Sequence, residues 1–345
     1  MSSNTKSLRQ YLQGALSDFS DSCCMQPLVT ATTLTSLVVQ LANLREEGAV
    51  LIPEVFLCDD LNETLKPLPD REVVYIGTAN AVDSAIAEAI KRCGPLAING
   101  WCVFIAKSGP SYEYGLFRGS LNPISISLYD TLFSVPMEEL KVVRMFRTAT
   151  GCVELCNHRG TTHSILLNDK PESAPLPTAY SKELLEEICK DIKDPFRDPT
   201  KTYIGKTLNK ALAACHGTII AVVGRKIPSF LKDGVSLKVP LDFQEAVLAK
   251  TNSTSDNSAE HRLIANSSLV QGMISSDGIT VFTTTGKLIA YNCFVHSPTQ
   301  NDGNPIVGGA RTRAYEALKR RIGKGIVAVF LQSQDGWTKF AKDEK

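Results

Sequence analysis

A cluster of prolines divides this 345-residue chain into two parts, each long enough to form a domain with its own core. Proline interrupts helices and sheet interiors, so no continuous element is expected to cross this stretch. Apolar residues at helical spacing lie between the prolines, over residues 181–192. We therefore predict a first domain over residues 1–168, a proline-rich linker with a connecting helix over 169–200, and a second domain over 201–345. The prolines of the linker are Pro171, Pro175, Pro177, Pro195 and Pro199.

The composition excludes several classes of protein. Apolar residues make up 43% and charged residues 21%, which is typical of a folded globular chain and not of a disordered or collagen-like one. The 37 basic and 36 acidic residues give a formal net charge of +1, so we expect neither nucleic acid nor a membrane as a partner. The polar start shows no signal-peptide pattern, and the apolar runs are too short to span a bilayer. We expect a cytoplasmic protein whose ten cysteines are reduced.

Both parts alternate helical patterns with short β-branched runs, which predicts an α/β fold with two domains. In the first part, the patterns predict helices over 28–45 and 80–93, and strands over 49–56, 73–76, 101–106, 112–117, 142–148, 151–157 and 162–167. In the second part, they predict helices over 201–215, 242–250, 262–273 and 311–321, and strands over 218–223, 279–283, 287–294 and 325–331. The fold class is thus an N-terminal α/β domain followed by a C-terminal α/β domain with a mixed sheet.

Two short motifs in the second part suggest a phosphate site. Asp277-Gly278 precedes a β-branched strand, and a glycine pair, Gly308-Gly309, leads into a helix that begins with Arg311 and Arg313. Helix N-termini present free N–H groups and a positive dipole end, and guanidinium groups match phosphate oxygens. A carboxylate on a neighbouring turn suits a phosphate-bound Mg²⁺ or Mn²⁺. The motifs therefore favour a nucleoside triphosphate with a metal. A surface helix after a glycine turn, with a solvated aspartate, remains the alternative.

The order of five segments resembles the diadenylate cyclase (DAC) domain family over residues 203–340. Ser276-Asp277-Gly278-Ile279 is similar to its Asp-Gly-Ala motif, and Gly309-Ala310-Arg311-Thr312-Arg313-Ala314 to its Gly-Thr-Arg-His-Arg-Ala motif. The remaining similarities are the strand 217–223, the segment 230–237, and the apolar strand 326–332 before Ser333, where the family has Ser-Glu-Glu.

This resemblance implies an enzyme that condenses two ATP molecules into the second messenger cyclic di-AMP and releases pyrophosphate. It implies that Asp277 binds Mg²⁺ or Mn²⁺, with Asp335 as a second metal ligand, and that Arg311 and Arg313 hold phosphates. It also implies a homo-oligomer in which active sites of two protomers face each other. The nucleotide-contacting residues implied by the resemblance are Gly278, Gly309, Ala310, Thr312 and Val295.

The chain departs from the family pattern at three places. Ala310 and Thr312 replace a threonine and a histidine, and Gln334 replaces the first glutamate of Ser-Glu-Glu. The alternative function is therefore a degenerate nucleotide-binding module on the DAC scaffold, used in signalling. The first part resembles, more weakly, the sensor-like accessory domains found ahead of DAC domains, which implies regulation by an unknown small-molecule effector.

Three other patterns have simpler interpretations. Cys152 and Cys156 are two ligands that zinc accepts, but a spacing of four on a strand separates them by roughly 13 Å, so we favour ordinary strand residues. The segment Gly205-Lys206-Thr207 lacks the upstream glycine of a P-loop. The basic run 319–324 is interpreted as a solvated helix end, where positive charge suits the helix dipole.

Overall fold

The computed structural model describes residues 7–68, 70–119, 141–168, 179–252, 258–295 and 309–343. Gly308 and the linker prolines Pro171, Pro175 and Pro177 lie outside these ranges. The chain divides into two compact units: the first holds most of the chain up to Leu167, and the second holds the chain from Asn168 onward. Each unit combines helices with a mixed sheet, so the predicted two-domain α/β class is confirmed. None of the helices in the described ranges has the length and apolar character needed to cross a membrane.

The first unit is built on a mixed sheet with helices on both faces. Its described elements are α1 (Leu8–Cys23), α2 (Ala31–Ala42), β1 (Arg45–Glu46), β2 (Ala49–Val50), β3 (Val55–Cys58), α3 (Leu61–Leu65), β4 (Glu72–Ala79), α4 (Val82–Cys93), β5 (Cys102–Ser108), β6 (Ser111–Arg118), β7 (Val142–Ala149), β8 (Cys152–Asn157) and β9 (Thr162–Leu166). The sheet order is β4-β6-β5-β3-β7-β8-β9, with β3 and β5 parallel. Strand alternation turns Val55 and Val103 toward α1, α2 and α4, and Phe56 and Phe104 toward α3.

The second unit contains the elements that form the predicted site. Its described elements are α5 (Ser181–Ile188), α6 (Arg197–Ala214), β10 (Thr218–Val223), β11 (Leu231–Lys232), β12 (Val235–Asp242), α7 (Phe243–Asn252), α8 (Ser258–Ser275), β13 (Ile279–Thr283), β14 (Lys287–Val295), α9 (Ala310–Lys319), β15 (Ile326–Gln332) and β16 (Thr338–Lys342). The sheet order is β11-β14-β13-β10-β15-β16, and β12 also pairs with β14. Strands β10 and β13 are parallel, and the other described pairs are antiparallel.

Two apolar layers enclose the sheet of the second unit. Every residue of β10 is buried, as expected for a continuous β-branched central strand. Its alternate side chains Ile220 and Val222 join a core with α5, α6, α7 and α8. Ile219 and Ala221 join a second core with α9 on the opposite face. The helix α9 therefore packs on the face of the sheet opposite α5, α6, α7 and α8. This packing fixes its position relative to the strand ends.

The described part of the predicted linker belongs to the second unit. Leu184 and Ile188 of α5 are fully buried in the core that also contains α6. Beyond α5, the Asp191 N–H donates to the Thr284 carbonyl at 2.9 Å, and the Thr284 hydroxyl donates to the Asp191 carboxylate at 2.6 Å. Residues 181–192 are thus fixed to the turn between β13 and β14. The first helix predicted for the second domain begins at Arg197, so it starts inside the predicted linker.

Candidate functional site

Three neighbouring strands of the second unit bring distant parts of the chain to one edge of the sheet. Ile279 of β13 lies beside Ile219 of β10, which lies beside Leu331 of β15. Because β13 and β10 are parallel and β15 is antiparallel, the starts of β13 and β10 meet the end of β15 at this edge. We call it the site edge. The residues just outside the strands at this edge are Asp277, Gly278, Gly217, Ser333 and Asp335.

The first turn of α9 lies beside Asp277. A guanidinium nitrogen of Arg311, Nη2, is 4.0 Å from the carboxylate oxygen Oδ1 of Asp277. The helix is anchored by Tyr315 and Leu318, which are buried on the sheet. The Asp277 side chain is 80% exposed and that of Arg311 is 39% exposed, so both groups are open to a ligand from solvent. The structure therefore brings together the two sequence motifs that were predicted to share one site.

The N-terminus of α9 presents backbone N–H groups. Gly309 is the N-cap, in extended conformation, and no side-chain cap is present at this helix start among the described residues. The first N–H of the helical ladder is that of Arg313, which donates to the Gly309 carbonyl at 3.0 Å. The N–H groups of Ala310, Arg311 and Thr312 precede that bond and have no acceptor within the helix. Among the described residues, apart from its neighbours in the chain, none has an atom within 4 Å of a Cβ built on Gly309.

The two arginines leave α9 in different directions. Positions two apart on a helix are separated by roughly 200° around its axis, so Arg311 and Arg313 do not share a face. Arg311 is half-buried and points to Asp277, whereas Arg313 is exposed and has an interaction of its own. Ala310 is exposed and Thr312 half-buried in this same turn.

Gly278 has a structural reason to be glycine. Its φ is +87°, a conformation that residues with a Cβ rarely adopt. A Cβ there would lie 2.8 Å from the Cys293 carbonyl oxygen and 2.9 Å from the Asn292 carbonyl carbon. The close neighbour of Gly278 in this structure is therefore the β14 backbone. The resemblance implied contact with the nucleotide, and the backbone packing is a separate requirement for glycine.

Val295 is the last residue of β14, which pairs with β13 from Ile279 onward. Val295 is half-buried against the core beneath α9 and also pairs with Leu231 of β11. The structure thus shows packing contacts for Val295, and contact with a nucleotide stays a prediction from the resemblance.

Ser333 lies at this edge, and the resemblance implies no role for it. It is 9% exposed, and its buried hydroxyl oxygen has no hydrogen-bond partner among the described residues. Alternation along β15 puts Ser333 on the same face as Leu331, which is the α9 face. Gly217 lies between the β13 and β15 ends, and a Cβ there would contact the backbone of residues 332–334 at 2.9 Å. The missing side chain lets the turn after β15 pack closely, and the sequence signal for Ser333 was its position at the start of the Ser-Glu-Glu match.

The metal ligands predicted from the sequence fit a divalent cation only in part. Asp277 offers an exposed hard-oxygen donor of the kind that Mg²⁺ takes together with substrate phosphates. Asp335 is also exposed, but it follows β15, which is separated from β13 by β10, so roughly 10 Å divides the two strands. Within the described residues, no group of three His, Cys, Asp or Glu side chains is placed to hold an ion. The donor set thus fits a metal held by one carboxylate and by substrate phosphates.

The buried titratable groups near this edge are neutral. Burial raises the pKa of the Cys293 thiol, and burial followed by the nearby Glu316 carboxylate raises that of the Tyr315 hydroxyl. A neutral thiol is a poor nucleophile at physiological pH. The described groups at the site edge therefore act electrostatically: the Asp277 carboxylate, guanidinium groups and the backbone N–H groups of α9.

Comparison with known proteins found no match: no protein-family model, no curated protein and no solved structure is significantly similar to the chain. The DAC resemblance therefore depends on the sequence motifs quoted above.

Proposed function

We propose that the second unit is a diadenylate cyclase-like nucleotidyltransferase, which condenses two ATP molecules into cyclic di-AMP with release of two pyrophosphates. The observation that supports this most directly is the 4.0 Å approach of Arg311 Nη2 to Asp277 Oδ1 beside the open N-terminus of α9. A carboxylate, a guanidinium and N–H groups that have no acceptor within the helix form, at one point, a suitable receptor for a metal-bound triphosphate.

In this proposal, the N–H groups of α9 and the guanidinium of Arg311 bind the triphosphate and hold its α-phosphate in place. Arg313 approaches the same anion from the other side of the helix axis. Asp277 holds Mg²⁺ or Mn²⁺, which when bound neutralises phosphate charge and lowers the pKa of a ribose 3′-hydroxyl. The 3′-oxygen of the second ATP forms the new P–O bond, pyrophosphate leaves, and the arginines stabilise the charge that develops. The residues thus act by positioning and electrostatics, with no covalent intermediate.

One copy of this site holds one ATP, and two must meet to close the cyclic product. The proposal therefore requires a homo-oligomer in which two such edges face each other. The exposure of Asp277 and Arg313 supports such an arrangement, because a substrate on a second protomer can approach them from solvent.

A degenerate nucleotide-binding module is the second candidate. Ala310 lacks the hydroxyl and Thr312 lacks the imidazole that the family has at these positions. Asp335 follows β15, and β10 separates β15 from β13, the strand that Asp277 precedes. These departures favour binding of a nucleotide without turnover. Both candidates use the same anion site, so the same variants test them.

The first unit is proposed to be the regulatory part, acting through a small-molecule effector. A depression of about 450 Å³ beside β4 and β6 supports this; apolar side chains line it together with Trp101 and Arg118. We also propose a cytoplasmic location. The ten cysteines, all within the described ranges, are free thiols, which suits a reducing compartment that also supplies ATP.

The test is to incubate the purified full chain with ATP and Mn²⁺ or Mg²⁺ and to separate the products by chromatography. We expect cyclic di-AMP from the parent and its loss in Asp277→Asn, Arg311→Ala and Arg313→Ala. The matched control is Arg262→Ala, because Arg262 is also an exposed helical arginine and lies 3.5 Å from a carboxylate oxygen of Glu245. Exposed pairs of this kind contribute less than about 1 kcal/mol, so all variants should remain folded.

The outcomes separate the two candidates. Product from the parent, lost in the site variants and kept in Arg262→Ala, supports the cyclase. Nucleotide binding without product, abolished by Asp277→Asn or Arg311→Ala, supports the degenerate module. If the site variants turn over ATP at the parent rate, or if the parent binds no nucleotide with either metal, the proposed site is wrong.

A further inference from the structure

The edge of the second sheet opposite the site edge gathers basic residues from two distant segments. Val223, the last residue of β10, pairs with Ile326, the first residue of β15. The segment that follows β10 contains Arg225 and Lys226, and the turn that precedes β15 contains Lys324. The loop that begins at Arg225 then packs against the turn after α9: a Cβ on Gly325 would lie 3.3 Å from Cγ of Pro228.

One arginine connects the loop to the helix end. The guanidinium carbon of Arg321 lies 4.7 Å from the centre of the Phe230 ring, and Nη1 of Arg321 donates to the Ala317 carbonyl at 3.0 Å. Ile227 from the loop and Ile322 from the turn both pack on the core beneath α9. The two segments are therefore held together by apolar packing and by a cation–π contact. Because they are already ordered, they lose less conformational entropy when a ligand binds.

Six cations lie on this surface, which we call the basic ridge. Arg321 is half-buried and the other five are exposed. Among the described residues, one acidic group placed here by a contact is Asp343, whose Oδ2 is 3.7 Å from a Cβ built on Gly323. For a chain with a formal net charge of +1, this is a strong local excess of positive charge. The ridge consists of Arg225, Lys226, Lys319, Arg320, Arg321 and Lys324.

The surroundings of the ridge favour one kind of partner. In the described ranges, no exposed large apolar side chain lies within residues 224–230 or 319–325. A membrane-binding surface adds apolar side chains that insert between lipids, and a protein interface adds an apolar centre. Arg321 covers one face of the Phe230 ring, so that face is not free to stack on an unpaired base. In a nucleic-acid duplex the bases are paired inside and the phosphates form a regular array outside. A surface that binds this array needs only cations at fixed positions.

We propose that the basic ridge binds the phosphate backbone of a nucleic-acid duplex without sequence preference. This revises the expectation from composition that nucleic acid is not a partner. The run 319–324 was interpreted alone as a solvated helix end, and the fold adds Arg225 and Lys226 beside it. The ridge lies at the far end of the strands from Asp277, so the proposal does not depend on the proposed cyclase activity.

The salt dependence of binding measures the number of phosphate contacts. With four contacts, the slope of log K against log salt is about −3.6, so affinity falls roughly 50-fold between about 50 and about 150 mM salt. The measurement is fluorescence anisotropy of labelled DNA and RNA duplexes of about 20 base pairs, two duplex turns, titrated with the full chain at several salt concentrations. The two duplexes share their phosphate chemistry, and their relative affinities identify which of them the ridge prefers.

A matched pair of triple variants assigns the contacts to the ridge. Lys226→Gln, Lys319→Gln and Lys324→Gln together remove three exposed ridge charges. Lys182→Gln, Lys210→Gln and Lys238→Gln remove the same charge at exposed sites on α5, α6 and β12. We expect the ridge triple to reduce the salt slope by about 2.7 and to weaken low-salt binding at least tenfold, with little change in the control triple.

Three results would overturn the proposal. The first is no duplex binding by the parent at low salt. The second is an equal loss in both triples, which would assign the binding to overall charge. The third is tighter binding to anionic lipid vesicles, or to a single strand, than to either duplex. Both triples change exposed lysines, and equal thermal unfolding of the two would show that a difference in binding is not a difference in folding.

Discussion

Replacing Gly278 by alanine tests the geometry of the site edge directly. Gly278 combines a φ of +87° with a backbone neighbour so close that a Cβ would lie 2.8 Å from the Cys293 carbonyl oxygen. Neither the β14 backbone nor the start of β13 can move freely, because Ile279 and Cys293 are paired and buried. Alanine must therefore adopt a strained conformation and also push two paired strands apart.

The two costs can be estimated separately. The left-handed backbone costs about 1 to 2 kcal/mol for a residue with a Cβ. Forcing a methyl group into a packed contact costs about 1 to 3 kcal/mol more. The free energy of unfolding of the second unit should therefore fall by about 2 to 4 kcal/mol, when partial relaxation of the strands is allowed for. For a domain of this size, each kcal/mol corresponds to about 2 to 4 °C in Tm.

The assay follows unfolding of the second unit alone. The chain has two tryptophans, Trp101 in the first unit and Trp337 in the second, so the background Trp101→Phe leaves one reporter. The control is Gly272→Ala on α8, where a Cβ meets nothing within 4 Å and alanine should stabilise the helix by about 0.5 to 1 kcal/mol. If Gly278→Ala is as stable as the parent but binds ATP weakly, the glycine serves the nucleotide and the backbone argument is wrong.

Two further predictions concern titratable groups. Cys24 is exposed and the other nine thiols are buried, so a thiol reagent at about pH 8 should modify one cysteine rapidly and all ten after denaturation. Raising the pH to about 10 should expose no further fast thiol, because burial raises the pKa of Cys58 and Cys189 to about 12; several fast thiols in the native chain would contradict this. The hydrogen bond from Lys201 lowers the pKa of the Glu186 carboxylate in the folded chain, and Arg197 adds to the effect. These contacts therefore stabilise the folded state at neutral pH, and the stabilisation is lost as the pH falls through the pKa of Glu186 in the folded state. Glu186→Gln should therefore cost less than about 1 kcal/mol at pH 7 in urea unfolding, since the pair is partly exposed, and the difference from the parent should shrink toward pH 3; an equal difference at both pH values would assign the loss to packing.

The strands with local sequence signals were predicted best. The continuous β-branched runs gave β10 and β13 at their observed bounds, Thr218–Val223 and Ile279–Thr283. These strands are central, so burial on both faces selects apolar residues at every position. Their bounds are therefore visible in the sequence without knowledge of their partners.

Elements at the margins of the fold were not predicted. Most residues of β12 are exposed and one of them is Pro240, so its strand conformation comes from pairing with β14 across a register shift. No local pattern reports a pairing of that kind. The first helix, α1, was missed for another reason: Leu12, Leu16 and Phe19 have helical spacing, but the polar residues around them concealed it.

The candidate site was predictable in its residues but not in its geometry. The glycine turns, the acidic residue and the two arginines have chemical meanings that a sequence reveals. The approach of Arg311 to Asp277 depends on the parallel pairing of β10 with β13 and on the docking of α9 over both, which are long-range facts. For the same reason, the orphaned hydroxyl of Ser333 was found only when the end of β15 was seen at the same edge.

The helix α9 gives the two ends of the second unit different electrostatic roles. Its ten residues span about 15 Å, and its N-terminus points its positive dipole end toward the site edge. Its C-terminus leads into the basic ridge, where Lys319 and the residues after it offset the negative dipole end. Because Tyr315 and Leu318 are buried on the sheet between the two ends, neither end can shift without repacking a core. A phosphate at the site edge and a duplex on the ridge would thus bind to opposite ends of one fixed helix, and each can be removed by substitution without altering the shape of the other.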